Sequence, residues 1–276
     1  QPDTTVLVTG PDMDTVSAAV KHHKLNTNII IQEERLGTGH AVMVARDFFE
    51  GETGTVLVVY GDTPLLTVAT INSMIQVRKS KENHAVVVLG FKPSEVGEYG
   101  RLILDNTGSL QKIVEAKDAS SEELKQPLCN SGIMAIDSIY LPFVLDQLKN
   151  DNAKGEYYLT DIVEIAISQG RTCAVVEGDE NEVLGVNSKV ELAAAETILQ
   201  KRYRQRAMNA GVTLMDPSSV YFSWDTKLGD NVSVGPNVYF GQGVTVEDDV
   251  EIKSFTHLEG TKVSSGAVIG PFARLR

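Results

Sequence analysis

Apolar residues in the first two thirds of the chain come in short unbroken runs: "TTVLVT" (4–9), "NIIIQ" (28–32), "TVLVVY" (55–60) and "HAVVVLGF" (84–91). Runs this short, β-branched and apolar on both faces read as strands buried in a parallel-rich sheet. Between them, residues 12–23, 39–49 and 67–79 carry helical spacing, with Asp12 or Asp14 and Thr67 placed as N-caps. Repeated strand–helix units predict an open, layered α/β domain. The stretch "RLILDNTGSLQKIVE" (101–115) predicts a hairpin turning at Asp105-Asn106-Thr107-Gly108, an insertion over one end of the sheet.

From Ser188 to Ala210 the pattern is one long helix, with Ser188 and Glu191 in capping-box spacing and Gly211 placed to end it. Its basic run, Lys201, Arg202, Arg204 and Arg206, reads as a solvated linker face near the negative end of the helix dipole. Beyond it the period changes. Val220, Thr226, Val232, Val238, Val244, Val250 and Thr256 recur every six residues, followed two places later by Phe222, Leu228, Val234, Phe240, Val246, Ile252 and Leu258. This hexapeptide pattern predicts a parallel β-helix in which stacked coils share one core. The register loosens after Leu258; about three triangular coils fit this length, with no evident terminal cap after them.

Charge narrows the partners. Asp and Glu number 37 against 25 Lys and Arg, a formal net charge of −12. A nucleic-acid or anionic-membrane surface needs clustered positive charge, so neither is expected. A small anionic substrate remains open, because a phosphate pocket needs only local donors. No apolar run approaches the ~18 residues of a membrane span, and the N-terminus has no signal-peptide pattern. Cys129 and Cys173 have no metal-like spacing and read as two buried thiols, which fits a cytoplasmic protein.

The chemistry concentrates around "IIIQEERLGTGHAV" (29–42), where a strand passes through close glycines into a helix. Gly37-Thr38-Gly39 admits three readings. One is half of a dinucleotide fingerprint, with Asp62 holding a ribose, although Val42 occupies the third glycine position. Another brings the backbone of Gly37 and Thr38 against a base edge beside Gln32, whose amide both donates and accepts. The third is a plain turn needing positive φ. Further on, "VLVVYGDTPLL" (56–66) sets Asp62 at the C-terminal mouth of a buried strand, the ligand edge of an open α/β sheet. Either a ribose or Mg²⁺ suits that carboxylate.

"QEERLGTGHAV", "YGDTPLL", "GEYGRLI", "IVEAKDAS", "CNSGIMAI", "KGEYYLTDIV" and "VLGVNSKVEL" follow one another in this order. Together they resemble the family of bacterial bifunctional N-acetylglucosamine-1-phosphate uridyltransferases and glucosamine-1-phosphate acetyltransferases, over essentially the whole chain. The resemblance implies an α/β, Rossmann-like nucleotide-sugar pyrophosphorylase domain over residues 1–187. A linker helix (188–211) and the start of a left-handed parallel β-helix (212–276) would follow. It implies that Gln32, Gly37 and Thr38 hold the uracil of UTP, and that Tyr60, Gly61 and Asp62 line the nucleotide and metal site. Asp62 and Asn187 would bind Mg²⁺, and Gly100, Glu115 and Asn130 would hold N-acetylglucosamine-1-phosphate, with Gly155–Tyr158 closing nearby. Bland alternatives stand beside these: Gly100 as a hairpin entry, Asn130 as an edge cap, Glu115 paired with Lys117. Acetyl-CoA would serve the second activity, and the β-helix would make a homotrimer.

In the family a strand and a Gly-rich loop bearing Arg and Lys precede the segment matched by "QPDTTVLVTG", and further coils follow the last one here. The chain is thus expected to be incomplete at both ends, and residues 1–276 alone to be inactive in both transfers. Two other functions stay open: a nucleotide-sugar pyrophosphorylase for a different base or sugar, and a non-catalytic fragment acting as an oligomerisation module.

Overall fold

The computed structural model describes residues 2–23, 25–152 and 154–276. The chain forms two compact units, Gln1–Gly185 and Val186–Arg276.

In the first unit β1 (Val6–Thr9) and β2 (Asn28–Ile31) pair in parallel as a two-stranded sheet, with α1 (Asp14–His22) between them in sequence. Neither Asp12 nor Asp14 caps α1. Met13 is the N-cap without a side-chain bond, Asp12 sits at φ +63°, and Asp14 already lies in the first turn. After α2 (Thr38–Val44) comes β3 (Thr55–Val58), then α3 (Val68–Arg78), where Thr67 does cap, accepting from the Thr70 N–H at 3.2 Å. The main sheet adds β4 (Val86–Phe91), β5 (Arg101–Leu104), β6 (Leu110–Val114), β7 (Cys129–Asp137) and β8 (Cys173–Glu177) in the order β6-β5-β7-β4-β8, with β3 on β7.

This sheet is mixed rather than parallel-rich. β7 runs antiparallel to β3, β4 and β5, and only β4 and β8 are parallel. A residue buried on both faces carries the same apolar signal in either direction, so the local pattern does not report strand polarity. Of the four early runs only β4 is buried throughout; β3 is half-buried. Along β4 alternate residues enter two cores. Val86 and Val88 pack toward α4 (Leu141–Leu145) and α5 (Asp161–Ser168), and Val87, Leu89 and Phe91 pack toward Met74 of α3. The predicted hairpin forms, but it extends the sheet edge through β5 instead of lying over an end. Asp105 closes it by accepting from the N–H groups of Thr107 and Ser109. Both cysteines are free and buried, and burial pushes the Cys173 thiol up to about 12.

The second unit opens with α6 (Lys189–Asn209), capped by Ser188, whose hydroxyl accepts from the Glu191 N–H. It ends in a Schellman turn: Val212 N–H reaches Ala207 O, Gly211 N–H reaches Met208 O, and Gly211 takes φ +92°. Two-residue strands from Thr213–Leu214 to Arg274–Leu275 then build a triangular parallel β-helix of four-, four- and three-stranded sheets. After a first step of 20 residues at Thr213↔Ser233, successive coils pair 18 apart, as in Tyr221↔Tyr239, until a five-residue step after Leu258 shortens the repeat to 17, as in Thr245↔Lys262. Both predicted rows face inward: Val220, Val232, Val238, Val244 and Val250 are buried, as are Phe222, Val234, Phe240, Val246, Ile252 and Leu258.

The basic face of α6 is not simply solvated. Arg204 donates to the carbonyls of Ser218 and Val220, and buried Gln200 donates to Phe222 O at 2.7 Å and accepts from Phe222 N–H at 2.9 Å. Phe222 lies in the first strand of its sheet, so its outward peptide groups have no preceding coil to bond. The Gln200 amide takes the place of that missing peptide, and α6 caps the β-helix. Gln200→Ala strands a buried donor and acceptor at Phe222, so a loss of about 1–3 kcal/mol is expected in urea denaturation. An unchanged midpoint would remove Gln200 from the cap.

Candidate active site

Three chain segments meet around the glycine turn after β2. Gln32 Nε2 donates to Gly37 O at 3.1 Å and lies 3.0 Å from His40 Nδ1, and among the described residues nothing donates to the Gln32 amide oxygen. Gly37 has φ +100°, and a Cβ there would stand 2.7 Å from Tyr157 O, so backbone conformation and packing both demand glycine. Tyr157 N–H donates to Leu36 O and Tyr157 O accepts from Gly39 N–H, while Thr38 Oγ1 accepts from Leu159 N–H. The "GEYYL" segment is therefore bonded onto the glycine turn. The dinucleotide reading loses support here: the Gly39 N–H that would face a pyrophosphate is already donated to Tyr157, and β3 pairs with β7, not beside β2.

The second cluster follows from strand register. Val58 of β3 pairs with Met134 of β7 in antiparallel sense. Just beyond the last pair Tyr60 packs on Gly132, which has φ +80°, so closely that a Cβ there would run into the Tyr60 ring. Gly132 N–H donates to Asn130 Oδ1 at 2.8 Å, and Asn130 N–H donates to Gly100 O at 2.8 Å. Gly100 stands beside Val114 O and the Asn130 side chain, one residue before Glu115. Gly100, Asn130, Gly132 and Tyr60 thus form one chain of contacts.

Asp62 lies four residues beyond the end of half-buried β3, exposed, not at the immediate mouth of a buried strand. Among the described residues no hydrogen bond or ion pair reaches its carboxylate. Glu115 likewise makes no ion pair with Lys117, so the pairing alternative is not what the structure contains. Burial, then the charges of Glu115 and Asp62, raise the Tyr60 hydroxyl above its ordinary value. Asp161, at the first turn of α5, is pushed up to about 6 by desolvation and then by Glu164, Glu115 and Asp151. Several acids act on this neighbourhood, a setting that attracts a cation and repels bare phosphate.

Gly61 is exposed with open space where a side chain would go, so no packing requires glycine there. Asn187 belongs to the other compact unit, exposed next to the N-cap of α6, its N–H donated to Glu191 at 2.7 Å. The sequence reading did not single out His40, Gly132 or Asp161. All three stand inside quoted motifs, but the contact of Gly132 with Tyr60 becomes visible only in the fold.

Asp161 gives a pH test. A carboxyl whose folded pKa exceeds its ordinary 3.8 is harder to ionise when folded, so its contribution is present below 3.8 and lost as pH rises through about 6. Asp161→Asn is expected to be more stable than the parent at pH 7.5 and equal at pH 3.5, with solvent access tempering the gain. Equal urea midpoints at both pH values would remove the unfavourable charge from Asp161.

Comparison with known proteins agrees with this architecture. Residues 4–198 match the nucleotidyl transferase family, and residues 225–260 match the bacterial transferase hexapeptide repeat, as a left-handed β-helix requires. The chain is 52% identical over its whole length to the bifunctional protein GlmU of Paramagnetospirillum magneticum, covering 60% of that relative. It is 53% identical over 96% of its length to the GlmU of Rhodospirillum rubrum, covering 58% of it, and 44% identical to that of Zymomonas mobilis, covering 61%. The chain thus spans about 60% of the length of the curated relatives it matches. No helix among the described residues is long and apolar enough to cross a membrane. With a family match across most of its residues, and the α/β and hexapeptide parts in the expected order, the chain belongs to the nucleotidyl transferase family.

Proposed function

We propose that the first unit serves uridylyl transfer: UTP and N-acetylglucosamine-1-phosphate give UDP-N-acetylglucosamine and pyrophosphate. In this reading residues 1–187 are the uridyltransferase domain, 188–211 the linker helix and 212–276 acetyltransferase β-helix. The observation that carries it is the contact chain Gly100–Asn130–Gly132–Tyr60, two residues before Asp62, an exposed acid that no other described residue bonds. Gln32, Gly37 and Thr38 would take the uracil edge, the Gln32 amide oxygen accepting from its imide N–H. Tyr60 and Gly61 would flank the nucleotide, and Gly100, Glu115 and Asn130 would hydrogen-bond the sugar hydroxyls and acetamide. Groups that hydrogen-bond a substrate's hydroxyls and amide reject analogues lacking them.

The sugar phosphate oxygen is already anionic, so it attacks the α-phosphorus of UTP without a general base, and pyrophosphate leaves in line. Catalysis is then positioning and charge neutralisation. Asp62 fits a Mg²⁺ ligand: it is exposed, unpaired among the described residues and set among other acids. Mg²⁺ takes few protein ligands beside phosphates and waters, so one carboxylate of this unit would serve. When bound, the ion would offset phosphate charge that a chain of net charge −12 otherwise repels.

The same reading gives the full-length protein a second activity, acetylation of glucosamine-1-phosphate by acetyl-CoA, in line with the relatives' bifunctional name. It also makes the protein a cytoplasmic homotrimer joined through the β-helix. Sedimentation is expected to show a concentration-dependent trimer, and a monomer at every accessible concentration would count against it. Pyrophosphate release by the full-length protein decides the main reaction. Turnover should be fastest with UTP and N-acetylglucosamine-1-phosphate; equal rates with other nucleotides or sugar phosphates would favour a different pyrophosphorylase, and none would favour a non-catalytic module.

A further inference from the structure

We propose that Glu182 is a positioning residue for the Asp62 loop: its carboxylate pins the start of α3, and the run from Asp62 to Thr67 with it, to the turn at 179–183. Its consequence for turnover, though not for loop order, rests on the functional reading above.

Glu182 lies in the acidic run "DENE" (179–182), which by composition is a solvated surface stretch. Its contacts are specific instead. Oε2 accepts from the Thr67 N–H at 3.1 Å and the Thr70 hydroxyl at 2.6 Å, and Oε1 accepts from the Thr67 hydroxyl at 3.3 Å. These are charge-assisted bonds at the positive end of a helix dipole, joining segments more than a hundred residues apart.

The turn that presents Glu182 is itself fixed. Asp179 accepts from the Asn181 N–H at 2.7 Å, and Glu180 accepts from both the N–H and the hydroxyl of Ser94 at 3.1 Å. The next residue, Val183, is buried in the core that includes Met74 of α3, with Leu57 and Leu66 packed against it. A rigid turn therefore grips a rigid helix.

The grip matters because, among the described residues, none bonds the Asp62 carboxylate directly. Its place is set by its loop: Tyr60 packed on Gly132 and bonded to Thr63 on one side, buried Leu65 and then Thr67, bonded to Glu182, on the other. Releasing the Thr67 side leaves the fold intact but loosens the loop that carries the acid, and metal chemistry is sensitive to that kind of looseness.

Hydrogen exchange and turnover of the full-length protein test this in Glu182→Ala and Glu182→Gln. In Glu182→Ala, amides in 60–70 are expected to exchange ~10-fold faster or more, with little change in melting midpoint. The Mg²⁺ concentration for half-maximal pyrophosphate release should rise ~10-fold, more than the saturating rate falls. Glu182→Gln, which keeps one acceptor, should recover part of both. Unchanged exchange over 60–70 would overturn the proposal, and so would faster exchange with an unchanged Mg²⁺ midpoint. If the parent protein releases no pyrophosphate, the functional reading fails, while exchange still decides whether Glu182 orders the loop.

Discussion

Asp62→Ala should lower uridylyl transfer by at least ~10²-fold, the scale of removing one charge-stabilising element. Added Mg²⁺ should restore little of it, since the ion would lose its one anionic protein ligand in the proposed site. The fold should survive, because the carboxylate is exposed and bonds no other described residue. Asp62→Asn keeps the shape and removes the charge, and it should be nearly as impaired. Steady-state pyrophosphate release over a Mg²⁺ series, with far-UV circular dichroism as the folding control, measures both. A folded Asp62→Ala protein turning over at the parent's rate would remove Asp62 from the metal site.

Phe240→Ala should destabilise the β-helix by about 3–5 kcal/mol, the usual cost of deleting a buried aromatic ring. Phe240 is fully buried, its ring stacked on Phe222 of the preceding coil with centroids 4.9 Å apart, and its strand is paired on both sides. Neighbouring coils are held by parallel ladders and cannot close independently onto the space left behind. The sole tryptophan, Trp224, lies in this unit, so its fluorescence in a urea titration follows the β-helix without a signal from the other unit. A midpoint shift within error would show that the column is not the core of the coil.

The β-helix was the most legible part of the sequence. Its inward rows repeat at a fixed interval, and the same interval sets the pairing of strands, so reading the rows amounts to reading the sheets. The place where the interval loosens, after Leu258, is where the repeat shortens. The α/β unit was legible in class but not in polarity. β4 reads apolar throughout because two cores flank it, and that says nothing of β7, the antiparallel strand on which β3, β4 and β5 all depend. Caps divided in the same way. Thr67 precedes an uninterrupted helix and caps it, whereas Asp12 sits in a left-handed turn that puts its side chain out of use.

The site followed suit. Gln32, Gly37 and Thr38 are local in sequence and were visible there, as was Asp62 by its motif. The meeting of Tyr60 with Gly132, and of Asn130 with Gly100, depends on register between distant strands, which no single window carries. The bonding of Tyr157 and Leu159 onto the glycine turn is of the same kind.

The 17-residue coil separates two properties that a strict hexapeptide would keep together. Strand pairing continues without a slip across the short step: Thr245 faces Lys262, Glu251 faces Val268 and His257 faces Arg274. Val263 remains buried in the inner column. The missing residue has been taken wholly from the corner at 259–261, where Gly260, at φ +57°, continues the positive-φ position held by Asn237, Gly243, Asp249 and Phe255 in earlier corners. Corners can therefore gain or lose length while the flat faces keep their alignment. A residue added within a face would invert every side chain after it. The heritable unit of this coil is its inward-facing pair, and the corners are the joints through which such a helix can grow loops without being rebuilt.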